Sequence, residues 1–232
     1  MTDPAVVLIH GAWHRGSSWA PLRDELARPS VAPDLPSDQP GLGAADYADA
    51  VLAAVPAGEL VIVGHSLGGL TAPVVAARLG ERVRALVLLG AMVPEPGRTH
   101  NDLLREDRTI MAPGFGAGQE KGQGGTTSWP PEAALASLYA GVAQECGSAE
   151  PVAAAVAEMR PQAWAIGKEV TPLAEWPPVR TVSVVCAADR VVNPETSRRI
   201  ARDRGFELVE LPGGHFPMLT RPSELAALLT GL

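Results

Sequence analysis

The stretch Leu60–Gly80, "LVIVGHSLGGLTAPVVAARLG", decides the fold. Four apolar residues, Leu60 to Val63, run directly into Gly64-His65-Ser66-Leu67-Gly68, and an alanine-rich helical pattern continues toward Leu79. A G-x-S-x-G pentapeptide alone is common. Set between a buried strand and a helix, it describes a turn that lifts a serine above the edge of a sheet. The chain has to reverse from strand to helix so tightly that the serine takes a strained backbone conformation, and glycines on either side remove side chains that would collide. The following helix aims its first amides at the same spot, so the N–H of Leu67 is a candidate donor to a developing oxyanion.

Outward from this turn, β-branched runs alternate with helical patterns. "AVVLI" (5–9), a short strand near Val31, "VRALVLLG" (83–90), "VRTVSVVCAADR" (179–190) and "FELVEL" (206–211) read as strands. Helices are expected near Trp19–Ala27, in "AADYADAVLAAV", from Ser66 toward Leu79, over Pro194–Arg204 and from about Pro222. This alternation predicts an α/β fold, a mostly parallel sheet with helices on both faces. The rhythm breaks over about 93–172, first in "APGFGAGQEKGQGGTTSWPP", then in helix-like pieces around Glu132–Gln144 and Pro151–Met159. We read it as a mostly helical lid inserted into one domain spanning 1–232, a length at which a single core buries enough apolar surface.

A serine hydroxyl attacks only when a base takes its proton and a third group orients the base. His215, in "LPGGHFPMLTRP", follows the strand "FELVEL", and Asp189, in "CAADRVVNP", follows "VSVVC". Both positions lie at the carboxyl ends of late strands, and the order Ser66, Asp189, His215 is the one this arrangement uses. Asp102, Asp107 and Asp203 stand in helical or lid contexts; Glu95, in the loop past "VRALVLLG", is the alternative acid. The second oxyanion donor is expected from "HGAWH", His10–His14, where Gly11 permits close backbone approach and Ala12 offers its N–H. His10 and His14 leave a strand, have no carboxylate beside them and lack a helix to place them on one face, so no metal site is read there; His14 is expected to bond loop backbone. Trp13, His14, Phe216, Trp129 and Trp164 are the candidates for an apolar substrate pocket.

Composition narrows the partners. The 232 residues carry a formal charge of -7 with Lys and Arg scattered, which lacks the basic footprint of a nucleic-acid binder. "MTDPAVVLIHG" has no basic leader region and no apolar run reaches membrane-spanning length, so a cytoplasmic protein acting on a small molecule, without nucleic acid or membrane, is expected. The sequence leaves open whether it works as a monomer or a homodimer. Cys146 and Cys186 are read as free thiols.

"HGAWH", "GHSLGG", an aspartate after a late strand and Gly-Gly-His near the C-terminus together resemble the α/β-hydrolase superfamily over nearly the whole chain. "VLIHGAWHRGSSW", "MVPEPGR", "MRPQAW" and "HFPMLTRPSEL" are similar to its compact branch of plant methylesterases, hydroxynitrile lyases and their bacterial relatives. The resemblance implies Ser66, His215 and Asp189 as a catalytic triad and the amides of Ala12 and Leu67 as the oxyanion hole. It implies a serine carboxylesterase for small hydrophobic or aromatic esters, with no cofactor. Members that cleave cyanohydrins carry a lysine directly after the catalytic histidine, where this chain has Phe216. The alternatives are a tailoring enzyme that uses the same triad for cyclisation, elimination or C–C cleavage, and a non-catalytic ligand receptor.

Overall fold

The computed structural model describes residues 3–232. The chain begins with strand β1 (Ala5–Ile9), helix α1 (Ala20–Glu25), β2 (Ser30–Val31), α2 (Ala44–Leu52), β3 (Leu60–His65), α3 (Ala72–Leu79) and β4 (Val83–Leu89). It then leaves the sheet for an insertion holding α4 (His100–Glu106), β5 (Glu120–Lys121), β6 (Thr126–Ser128), α5 (Pro131–Ala133), α6 (Val142–Cys146), α7 (Glu150–Ala157), β7 (Gln162–Ala163) and α8 (Ala165–Lys168). It closes with β8 (Thr181–Cys186), α9 (Pro194–Asp203), β9 (Glu207–Leu211), α10 (Pro217–Thr220) and α11 (Pro222–Thr230).

Six strands form one sheet in the order β2-β1-β3-β4-β8-β9, and every neighbouring pair is parallel. Every residue of β1, β3 and β8 is buried, and β4 exposes only Arg84. Such nearly continuous apolar runs suit strands covered by helices on both faces. The edges differ: β2 is two residues long, and β9 exposes Glu207, Leu208 and Glu210. Register aligns Ile9 with Gly64, Gly64 with Leu88, Leu89 with Val184 and Cys186 with Leu211. The carboxyl ends of these strands therefore share one rim, where open α/β sheets place their sites.

Helix starts follow local chemistry. Proline occupies the first turn of α1, α3, α9, α10 and α11, where a missing N–H costs nothing. Asn193 caps α9 by accepting from the amide of Glu195 at 3.0 Å, and Thr99 caps α4 by accepting from Asp102 at 3.0 Å.

The segment after the serine turn is not one helix: Ser66–Leu70 forms a tight 3-10 turn before α3 begins at Ala72. Gly68 and Gly69 press on other backbone there, which holds the first turn narrow. The insertion, mostly helical as expected, also holds short strands that no pattern announces. β5, β6 and β7 pair antiparallel into a small sheet, and a left-handed Gly141 (φ 88°) separates the π-type turn Ala134–Leu138 from α6. Cys146 and Cys186 are unpaired. Among the described residues no helix is long and apolar enough to cross a membrane.

Candidate active site

Ser66 sits at the end of β3 with φ 53°; among the described residues only Trp13, at φ 64°, shares a positive φ without being glycine. Such a backbone is costly for both side chains and persists only where the surroundings over-determine it. The glycines supply the room. A Cβ on Gly64 would lie 2.6 Å from Ala72 Cβ, one on Gly68 2.6 Å from the Ile9 carbonyl oxygen, and one on Gly11 2.9 Å from Ser66 Cβ. This last approach brings the loop after β1 directly against the serine. The carbonyl of Ser66 accepts from the amide of Met92 at 3.0 Å, tying the turn to the segment after β4.

Across the rim, Asp189 and His215 form a buried pair. His215 Nδ1 lies 2.7 Å from Asp189 Oδ2, with side-chain exposures of 3% and 2%. Asp189 Oδ1 accepts from the amides of Val191 (2.7 Å) and Val192 (3.0 Å), so the carboxylate is fixed by its own loop. With Nδ1 donating to the carboxylate, Nε2 of the neutral ring is the basic nitrogen. Gly90 (φ 47°) passes close beneath: a Cβ there would lie 3.0 Å from Asp189 Oδ2. His65, beside Ser66, donates Nε2–H to the carbonyl of His215 at 2.8 Å, and the two rings lie 4.5 Å apart. Glu145 of α6 accepts from the amide of Gly214 at 3.0 Å, so the insertion also grips the histidine loop. No hydrogen bond joins Ser66 Oγ to His215 in this structure.

Ala12 and Leu67 are both buried, and outside the turn Ser66–Leu70 neither backbone N–H has an acceptor among the described residues. Glu95, the alternative acid, stands instead in a half-exposed ion pair with Arg98. Asp102, Asp107 and Asp203 likewise pair with surface arginines.

The remaining histidines of this region are buried and neutral. Burial pushes His10 down to about 3 and His14 to about 4, and holds His65 well below the usual imidazole range. His10 donates Nδ1–H to the Gly11 carbonyl (2.9 Å) and accepts at Nε2 from the Leu35 amide (3.0 Å). His14 bonds the carbonyl of Ala12, as the sequence suggested, and in addition meets the hydroxyl of Tyr139.

A cavity of about 240 Å³ lies beside the histidine loop, lined by His14, His65, Tyr139, Phe216, Met218 and the small side chains Ala154 and Ala155 of α7. His14 and Phe216 are thus on its wall, whereas Trp13, Trp129 and Trp164 are not. Trp13 instead packs edge-on against Trp129 (5.6 Å) and Trp164 (5.5 Å). The indole N–H groups of Trp13 and Trp164 both donate to Thr127 Oγ1, at 3.0 and 2.8 Å. Sequence reasoning missed Tyr139, Glu145 and Thr127; all lie in the insertion, and no local pattern marks them.

A parallel sheet that raises a serine on a strained strand-to-helix turn, with a buried Asp–His pair on the same rim, is the arrangement of the α/β-hydrolase class. The chain belongs to the alpha/beta hydrolase family, whose sequence model matches residues 6–228. It is a hydrolase, and esterases stand among its relatives. It is 29% identical over 262 residues to a carbendazim hydrolyzing esterase of Nocardioides sp. (strain SG-4G), covering 97% of this chain and 98% of that one. It is 32% identical over 191 residues to the probable esterase PIR7A of Oryza sativa subsp. indica, covering 78% and 73%. Among solved structures, a variant of tomato methylketone synthase I in complex with beta-ketoheptanoate superposes with a TM-score of 0.78 at 20% identity, covering 100% of this chain and 98% of that one.

Proposed function

We propose that the protein is a serine carboxylesterase that cleaves small hydrophobic or aromatic esters through an acyl-enzyme. His215 Nε2 takes the proton of Ser66 as its Oγ attacks the ester carbonyl, Asp189 holds the imidazole in the tautomer that leaves Nε2 basic, and the amides of Ala12 and Leu67 receive the oxyanion. The protonated His215 then gives its proton to the leaving alkoxide. Water, deprotonated by the same nitrogen, releases the acid and restores Ser66. The observation that carries this reading is the buried 2.7 Å Asp189–His215 contact on the rim that holds Ser66. The amides of Ala12 and Leu67, which have no acceptor outside the turn Ser66–Leu70 among the described residues, and the esterase relatives support it. The neighbouring cavity, whose lining joins Tyr139, Phe216, Met218 and Leu219 to the polar Ser17, Ser18 and Glu158 and does not include Ser66, Asp189 or His215, suits an aromatic or short aliphatic group held beside the triad. On this reading the enzyme is cytoplasmic, acts on a small molecule and needs no cofactor.

A second reading keeps the residues and changes the chemistry: a tailoring enzyme in which His215 acts as a general base and Ser66 forms no covalent bond. Intact mass after incubation with a fluorophosphonate decides between them. One adduct on the wild type and none on Ser66→Ala is expected; a folded wild type that takes no adduct sinks the esterase reading.

A further inference from the structure

The insertion, the loop after β1 and the histidine loop meet at one side chain. Tyr139 is buried just past the π-type turn Ala134–Leu138, the kind of local helix widening that often marks a functional position. Its hydroxyl lies 2.6 Å from His14 Nε2, and the other ring nitrogen, His14 Nδ1, lies 2.6 Å from the carbonyl oxygen of Ala12. A carbonyl only accepts, so Nδ1 carries the ring proton, Nε2 is bare, and Tyr139 is the donor. Burial holds His14 down at about 4, so the ring keeps this single arrangement at neutral pH. The ring of Tyr139 also stacks on Phe216, the residue after His215, at 4.3 Å and 9°.

The chain of bonds ends on a strained loop. Trp13, between Ala12 and His14, is held at φ 64°, which a bulky side chain adopts only under restraint. His14 closes that restraint across Trp13 by gripping the Ala12 carbonyl. Arg160 adds to it from the insertion: its amide donates to the Trp13 carbonyl at 2.9 Å and its Nε to the His14 carbonyl at 3.0 Å. Removing the Tyr139 hydroxyl frees the imidazole to rotate, and the Ala12–Trp13 peptide loses that restraint; the Gly11–Ala12 peptide, which carries the Ala12 N–H, keeps the bond from His10 Nδ1 to the Gly11 carbonyl, so the effect reaches the amide through the backbone dihedrals of Ala12.

We propose that Tyr139 and His14 are positioning residues, a two-link clamp through which the seated insertion aims the Ala12 amide at the oxyanion. The inference rests on the serine-esterase reading, because only there does that amide have a charge to receive. Neither side chain touches the reacting atoms. Both also stand on the cavity wall, so the signature of the clamp is a loss in kcat and in affinity for a transition-state mimic that exceeds any change in KM.

The test is a double-mutant cycle of Tyr139→Phe, which keeps the stack on Phe216, and His14→Asn, which keeps a donor near the Ala12 carbonyl but withdraws from Tyr139. Steady-state hydrolysis of p-nitrophenyl butyrate is measured with the affinity for an aryl trifluoromethyl ketone, whose tetrahedral adduct places an oxyanion in the same hole. Tyr139→Phe, which keeps the ring on the cavity wall, is expected to lower kcat about 10-fold with a much smaller change in KM and to weaken the ketone by about the same factor as kcat. The double variant is expected to be no worse than the weaker single one. Wild-type kcat in Tyr139→Phe, a rise in KM alone, or fully additive losses overturns the clamp. If one variant fails to fold, the ketone affinity and kcat of the other still decide it. Fluorophosphonate labelling of the wild type separates the two levels: no adduct on Ser66 defeats the esterase reading and the clamp with it, whereas an adduct with an unaffected Tyr139→Phe defeats the clamp alone.

Discussion

Asp189 divides its two carboxylate oxygens between His215 and its own loop: Oδ2 holds His215 Nδ1 at 2.7 Å, while Oδ1 receives the amides of Val191 and Val192. The two amides leave the carboxylate one orientation, so the proton on His215 Nδ1 is fixed by geometry as well as by charge.

Asp189→Asn tests this division. The amide oxygen keeps the bonds to Val191 and Val192, which turns its NH₂ toward His215 Nδ1 and forces the ring proton onto Nε2. The base is then blocked while the fold stays intact. We expect kcat to fall about 10⁴-fold, the size of effect seen when this exchange inverts the tautomer of a triad histidine, with the melting temperature close to that of the wild type. A loss below tenfold would separate Asp189 from catalysis.

The glycine turn makes a stability prediction. An alanine Cβ at Gly68 would sit 2.6 Å from the Ile9 carbonyl oxygen and 2.7 Å from that of His10, both rigid backbone of β1 and its loop. Gly68→Ala should cost about 3 kcal/mol, the upper part of the range for overpacking a core, seen as a lower urea midpoint. A second substitution, Gly58→Ala, separates crowding from loss of glycine freedom: its Cβ would meet nothing within 4 Å, so its smaller cost reports only its backbone at φ 96°.

Acid should destabilise the protein through its neutral histidines. Burial lowers His10 to about 3, His14 and His100 to about 4, and His65 well below 6.5. Their folded values lie below the unfolded one, so the unfolded chain binds more protons as the pH falls. Their stabilisation is complete above pH 6.5 and is lost progressively below it, at roughly 1.4 kcal/mol per pH unit for each group until its folded value is reached. Both ring nitrogens of His100 lack a partner, so His100→Phe removes one of these titrations without breaking a bond. Urea midpoints between pH 7 and 4.5 should fall steeply for the wild type and less steeply for His100→Phe; parallel curves would contradict this.

Thr127 joins two tryptophans of different segments through one oxygen. Thr127→Val leaves the indole N–H groups of Trp13 and Trp164 without that acceptor, at a cost of about 2 kcal/mol. Because Trp13 follows Ala12, tryptophan fluorescence should change along with the melting temperature. A variant as stable as the wild type would mean that both indoles find other acceptors.

The sheet was legible because buried parallel strands need nearly continuous apolar runs, and "AVVLI", "LVIV" and "VSVVC" have no other comfortable place. Ser66 and Asp189 stood out because each lies a few residues past such a run, and His215 because it lies a few residues past the alternating edge strand "FELVEL", so chain order placed them on one rim. The insertion was less legible. β5 to β7 are two or three residues each, too short for an alternating pattern, and "TTS" has no apolar face to reveal. Tyr139 gains its role from His14, 125 residues away, a distance no local periodicity spans. Trp13 shows a further limit: it adjoins Ala12 in sequence, but its ring packs on Trp129 and Trp164, away from the cavity wall.

The two sheet edges described above bear on how copies of the molecule meet. β2 offers only two residues of ladder. On β9, Glu207 is held by Arg180 at 2.8 Å and Glu210 by Arg198 at 2.9 Å, so an incoming strand would have to displace two ion pairs. A short border and a charged one both discourage strand addition. The fold thus carries its own guard against edge-to-edge aggregation.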